Sequence, residues 1–200
     1  MSFAKRFCMS YRGTMSSNKN SDSHLSKFHR LLVDQVRHEF TASHQYVAIA
    51  AWFDDQDLPQ LARVFYEQSL EERDHAMMIV RFLLDSDIHF AIPAVDEIET
   101  AFSAPRDLVA LALRQEREVT DQFQRLAKVA RDEDDYTGEQ FLQWFIQEQT
   151  EEVAKMSTLL NVVDRAEGNL FDVETFVARD MPSEDNGSQG APGTAGPSVS

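Results

Sequence analysis

Four stretches of this chain repeat apolar residues at steps of three and four, and near the middle of each an acidic residue breaks the apolar line. Along 61–82, Leu61, Phe65, Glu72, His75, Ile79 and Phe82 recur at steps of three, four or seven, the spacing of one helix face. The first stretch reads Phe28, Leu32, Gln35, Glu39, Ala42, Tyr46, Ile49, Phe53. The third reads Val109, Leu113, Glu116, Val119, Phe123, Leu126. The fourth reads Phe145, Gln149, Glu152, Met156, Leu159, Val163. A carboxylate in an apolar slot is costly unless something positive compensates it. One Glu-x-x-His alone reads more readily as a partly exposed acid beside a hydrogen-bonded core histidine. Four coincident interruptions do not.

These lines place four long helices. The first spans about 23–54, with Ser23 as its N-cap. The second opens at Asp57-Leu58-Pro59, with Asp57 capping and Pro59 in the first turn, and runs to about 85. The third follows Ser103 and Pro105 and ends near 132. The fourth starts at Thr137-Gly138-Glu139-Gln140, which has the form of a capping box, and stops before Gly168. A short fifth helix over about 170–179 is expected to bury Phe171 and Phe176, or to place them on a neighbouring subunit. Between the second and third helices, residues 86–104 contain Pro93 and no helical period. Such a connection can span ~60 Å, more than the ~43 Å of a long helix, so it can bring the third helix in parallel to the second. The fold class is therefore all-α, a four-helix bundle with a long crossover and a short fifth helix.

With 200 residues, 42% of them hydrophobic, the chain can build one core. Residues 23–181 are read as the folded domain, 1–22 as a disordered basic arm, and 182–200 as a disordered Gly/Ser/Pro tail. The net charge of −15 makes nucleic acid an unsuitable partner and cations suitable ones. No apolar run is long enough for a membrane span. A single cysteine, Cys8, fits a reducing compartment, and a cytoplasmic location is expected.

Midpoints of packed helices lie at one height whichever way each helix runs. Glu39, Glu72, His75, Glu116, Gln149 and Glu152 should therefore share one layer. Four carboxylates there repel one another unless cations intervene, and two divalent ions nearly neutralise them. Oxygen ligands with one imidazole favour a hard or borderline redox metal, and iron fits best, with Glu72 placed to bridge a pair. On this reading, removing Glu72 should relieve repulsion in the metal-free protein.

Residues from about 27 to 179 resemble a ferritin subunit of the bacterial haem-free kind. The resemblance is carried by Glu39 and Tyr46, by Glu71-Glu72-x-x-His75, by Glu116 after Arg114-Gln115, and by the run from Gln143 to Glu152. A crossover between the second and third helices marks such bundles. The resemblance implies iron storage in a hollow shell of about 24 identical subunits, each with a di-iron ferroxidase centre. It implies that Fe(II) is oxidised there by O2 or H2O2 and kept as a ferric oxide mineral. Glu39, Glu72 and His75 would hold one iron and Glu72, Glu116 and Glu152 the other. Gln149 would stand beside the second iron, and Tyr46 would hydrogen-bond next to the centre. Glu71, Glu148 and Glu151, with Glu152, would form a third iron site. Glu139, at the start of the fourth helix, would line an iron channel.

Two departures separate the chain from bacterioferritins. Lys155 stands where a second Glu-x-x-His would end, and Arg73 follows Glu72 where those proteins carry a haem-ligating Met. No haem is expected. The missing second Glu-x-x-His also weighs against a di-iron redox enzyme of the rubrerythrin type. A passive structural iron cage would lack a centre ligand, and none is lacking. His24, His29, His38, His44 and His89 show no ligand spacing, and Trp52, Trp144, Met77 and Met78 read as packing residues.

Overall fold

Each inward line lies on a helix. The computed structural model describes residues 25–181, 183 and 190–196. Among them are α1 (Lys27–Asp55), α2 (Pro59–Asp85), α3 (Pro105–Asp132), α4 (Tyr136–Arg165) and α5 (Leu170–Asp180), with no strand. The expected arm 1–22 lies outside the described residues, as does Ser23. Residues 86–104 form no helix.

The core is divided in two. One apolar cluster takes Ala42–Phe53 of α1, Leu61–Phe65 of α2, Leu108–Leu113 of α3, Met156–Val163 of α4, and Val173 and Val177 of α5. The other takes Phe28–Val36, Ala76–Leu83, Val119–Ala130, and Leu142 with Phe145. In each long helix the polar interruption falls between the two. The order in which each helix meets the clusters also gives its direction. The helices α2 and α3 both run from the first cluster to the second, so they are parallel, and α1 and α4 run the opposite way. Only a connection travelling the length of the bundle allows this, and 86–104 is that connection.

The crossover is fastened to α1. The Gln45 side chain donates to the Glu99 carbonyl at 2.8 Å and accepts from the Glu99 amide at 2.8 Å. The Asp96 amide donates to Thr41 Oγ1 at 3.0 Å, and Arg37 pairs with Asp96. These bonds satisfy backbone groups in a segment that has no ladder of its own.

The helix ends differ from the sequence expectation in an instructive way. Asp57 does not cap α2. It has φ of 56°, and the Leu58 amide donates to the Phe53 carbonyl at 3.0 Å, so Asp57 closes α1 in a left-handed turn. Asp87 and Asp134 close α2 and α3 in the same manner. The first amides of α2, Gln60 and Leu61, instead donate to the Glu174 carboxylate of α5 at 2.9 and 2.8 Å. Those of α1, Lys27 and Phe28, donate to Glu133 at 3.0 Å each, while Ser26 is the N-cap. Asp135, not Thr137, caps α4 by accepting from the Gly138 amide at 2.8 Å. Ala104 is the N-cap of α3, and Ser103 donates to Asp107. In α5 the buried residues are Val173 and Val177, whereas Phe171 is 85% exposed. Helix period alone could not tell which stripe of so short a helix faces inward.

Beyond Met181, the Ser183 hydroxyl donates to Glu67 at 2.7 Å, and Arg63 holds the Met181 carbonyl at 2.6 Å. The Ala195 amide donates to the Met77 carbonyl at 3.0 Å. Among the described residues no helix is long and apolar enough to cross a membrane.

Candidate metal centre

The layer between the two apolar clusters holds Glu39 (0% exposed), Glu72 (1%), His75 (4%), Glu116 (2%), Gln149 (1%) and Glu152 (4%). Each sits there because the same face of its helix carries buried apolar residues on both sides of the polar layer, and packing of those residues turns it inward. Glu39, Glu72 and His75 bring one ligand atom each within 4.8 Å of the others. His75 Nδ1 lies 3.3 Å from Glu72 Oε2 and 3.9 Å from Glu39 Oε2. The imidazole is held edge-on by Trp144 and Phe145, with ring centroids at 5.5 and 5.6 Å. Trp144, read from sequence as packing, thus packs directly on a centre residue.

Opposite this trio, the Tyr46 hydroxyl donates to Glu116 Oε1. Thr120 donates to Gln149 Oε1 at 3.2 Å. Gln35 donates to Glu39 Oε1 at 2.7 Å, and Gln68 to Glu72 Oε1 at 3.3 Å. Gln68 and Thr120 received no role from the sequence. A signal was present: Gln35 precedes Glu39 by four, Gln68 precedes Glu72 by four, and Thr120 follows Glu116 by four. Residues so spaced touch on a helix.

Each of these carboxylates has one oxygen engaged by the protein, and on three helices the other is left over. Glu39 Oε2, Glu116 Oε2 and Glu152 Oε2 are buried and accept no hydrogen bond. Buried acceptors rarely go unpaired, and three together around one space need a cation or protons.

The titration behaviour shows the same demand. Burial, then the charge of Glu72, pushes Glu39 well above the usual carboxylate range. Burial, with the charges of Glu72 and Glu152, does the same to Glu116. Burial lifts Glu152 to about 8, against the pull of Lys155. Burial also acts to neutralise His75, but its hydrogen bond to Glu72 and the surrounding acids win and raise it to about 10. Glu72 is buried too, yet His75 outweighs that and holds it below its ordinary value. These surroundings favour the ionised form of Glu72 beside a charged His75 and the protonated forms of Glu39, Glu116 and Glu152. A divalent cation would take the place of those protons.

The outer acids lie to one side. Glu148, Glu151 and Glu152 line a cleft of about 510 Å³ that also touches Val64, Glu67, Phe176 and Asp180. Glu151 is exposed, and Glu71 and Glu148 are half-buried. Lys155 Nζ stands 3.5 Å from Glu71 Oε2 and 3.7 Å from Glu152 Oε1. Arg73 is paired with Asp74 at 3.0 Å, and Glu139 with Arg131.

Residues 30–166 match the model of the ferritin-like domain family. The chain belongs to the ferritin family. It is 60% identical over 162 residues to "Ferritin BfrB" of Mycolicibacterium smegmatis, an alignment covering 81% of this chain and 90% of that one. To "Bacterial non-heme ferritin" of Staphylococcus aureus MRSA252 it is 37% identical over 134 residues, or 67% and 81% of the two chains. An open pore ferritin from Archaeoglobus fulgidus superposes with a TM-score of 0.76 at 23% identity, over 81% of this chain and all of the other. That likeness concerns the ferritin fold.

Proposed function

We propose that this ferritin stores iron, oxidising Fe(II) at an intrasubunit pair of sites in the acid layer. The observation that carries the reading is the set of leftover buried oxygens on Glu39, Glu116 and Glu152, facing the Glu72–His75 pair. Glu39, Glu72 and His75 hold one Fe(II), and Glu72, Glu116 and Glu152 the other. Glu72, the acid whose ionised form the protein stabilises in the absence of metal, is the bridge. Gln35 and Gln68 each occupy one carboxylate oxygen, which aims the second at the metal. Tyr46 does the same for Glu116, and Thr120 fixes the orientation of the Gln149 amide beside it.

Two Fe(II) placed side by side supply two electrons at once. With O2 the balance is two Fe(II), one O2 and two protons giving two Fe(III) and one H2O2. With H2O2 it is two Fe(II), one H2O2 and two protons giving two Fe(III) and two waters. An all-oxygen set with one nitrogen favours the ferric product. Product ions pass to the shell interior and hydrolyse there to a ferric oxide mineral. Arg73 supplies no haem ligand, and haem plays no part in the reading.

The test loads metal-free protein with Fe(II) under argon, admits air, and follows near-UV absorbance together with size exclusion. Rapid oxidation of two Fe(II) per chain, then mineral retained in a large particle, is the expected result. Oxidation no faster than in buffer alone would dismiss the ferroxidase reading.

A further inference from the structure

The cation already present beside the acid layer is a side chain. Lys155 Nζ lies between Glu71 Oε2 on α2, at 3.5 Å, and Glu152 Oε1 on its own helix, at 3.7 Å. The lysine is only 18% exposed, and Glu71 is 24% exposed. Its stem and the carboxylates of Glu148, Glu151 and Glu152 share the walls of the same cleft. A third iron on the inner side of the centre would draw its ligands from this group of acids. It would have to sit beside an ammonium that two of them already neutralise.

We propose that Lys155 takes the place of the third cation, so that this ferritin binds two metal ions per chain and no more in its acid layer. The proposal rests on the di-iron reading of that layer. Three physical points support it. An ammonium has the compact, localised charge that suits a cation's place between carboxylates. Its position bridges α2 and α4, so displacing it would break an inter-helix tie as well as require a divalent ion to approach a fixed positive charge. Its four-carbon stem lies along the cleft wall, half-buried, so the head cannot move into water without exposing apolar surface. The role is one of selectivity: Lys155 sets the number of ions.

The experiment titrates metal-free assembled protein with Zn²⁺ in an isothermal calorimeter at physiological salt, where weak surface binding is screened. The parent should saturate at about two tightly bound ions per chain. Lys155→Met keeps the stem's length and removes the charge, and should take up about three. Lys155→Arg keeps a charge and should stay at the parent value. Glu71→Gln added to Lys155→Met should return the count to the parent's. A parent that binds three, or a Lys155→Met protein that still binds two, overturns the proposal while leaving the di-iron reading intact. A parent that binds no tight ion, or binds as many after Glu72→Ala, overturns that reading instead. Circular dichroism and size exclusion on each variant confirm that folded shells are being compared.

Discussion

Within the acid layer the residues are not equivalent. From sequence, Glu72 is one of four anions in a repelling cluster, and its removal should relieve the metal-free protein. The structure reverses this for Glu72 and keeps it for its neighbours, because His75 Nδ1 is 3.3 Å from Glu72 and imidazolium is what Glu72 balances. Glu72→Ala should therefore lower the melting temperature of metal-free protein and slow initial Fe(II) oxidation at least about tenfold, or ~1.4 kcal/mol of barrier. Glu116→Gln keeps a partner for Tyr46 and removes an acid that burial holds protonated. It should slow oxidation equally and leave the metal-free melting temperature unchanged or higher. Stopped-flow oxidation beside thermal melts separates the two outcomes.

A pH dependence follows from the same groups. Glu39, Glu116 and Glu152 have folded pKa values above their unfolded ones, so the folded state holds more protons through the interval between. Their contribution to stability is complete below the unfolded carboxylate range and is lost as pH rises, for Glu152 through about 8. The His75 contribution, complete below the usual imidazole value, is lost as pH rises through about 10. Metal-free protein should melt progressively lower from pH 5 to pH 9. Saturating Zn²⁺ should flatten that slope, since metal replaces the protons, and Glu152→Gln should flatten it in part.

Helices were legible wherever burial is periodic, and their caps were not. The inward lines of α1, α3 and α4 were all visible because apolar residues at steps of three and four can lie only on one face. The first amides of α1 and α2 are satisfied by Glu133 and Glu174, over a hundred residues away, and no local pattern announces such partners. Glu174→Ala should cost about 1 kcal/mol, typical of a lost N-cap, and should loosen α5 first because the carboxylate ties that helix to α2. Amide exchange in α5 would show it. At the start of α4, an added Cβ on Gly138 would collide with the buried Phe28 ring. Gly138→Ala should therefore cost about 1–3 kcal/mol despite alanine's better helix propensity, as a denaturant melt would record. The acid layer was legible for the same reason as the helices. Gln68 was readable from its place one turn before Glu72, whereas the meeting of Thr120 with Gln149 and of Lys155 with Glu71 needed knowledge of which side chains meet across helices.

At the scale of the whole molecule, several large apolar residues have no cover among the described residues. Phe171 is 85% exposed, Leu84 57%, Ile92 56% and Val95 50%. Side chains of this size on a strongly acidic body point to burial by neighbouring copies. The assembled protein should elute near half a megadalton, about 24 copies of 22.8 kDa. Phe171→Asp should shift elution to smaller species without loss of helical signal if α5 lies at a subunit contact. A parent protein that elutes as a monomer at micromolar concentration would remove the shell.

The crossover carries a consequence for how the chain reaches this shape. The α1–α2 and α3–α4 pairs are each joined by a turn of a few residues, so their contacts are local and can form early. The bonds from Gln45 to Glu99 and from Thr41 to Asp96 close loops of about fifty residues and offer little until both hairpins exist. Two helical hairpins that form separately and then dock would leave Gln45→Ala with a normal folding rate and a faster unfolding one. The acids of the buried layer come from both hairpins, Glu39 and Glu72 from one and Glu116 and Glu152 from the other, so the layer does not exist until that docking is complete.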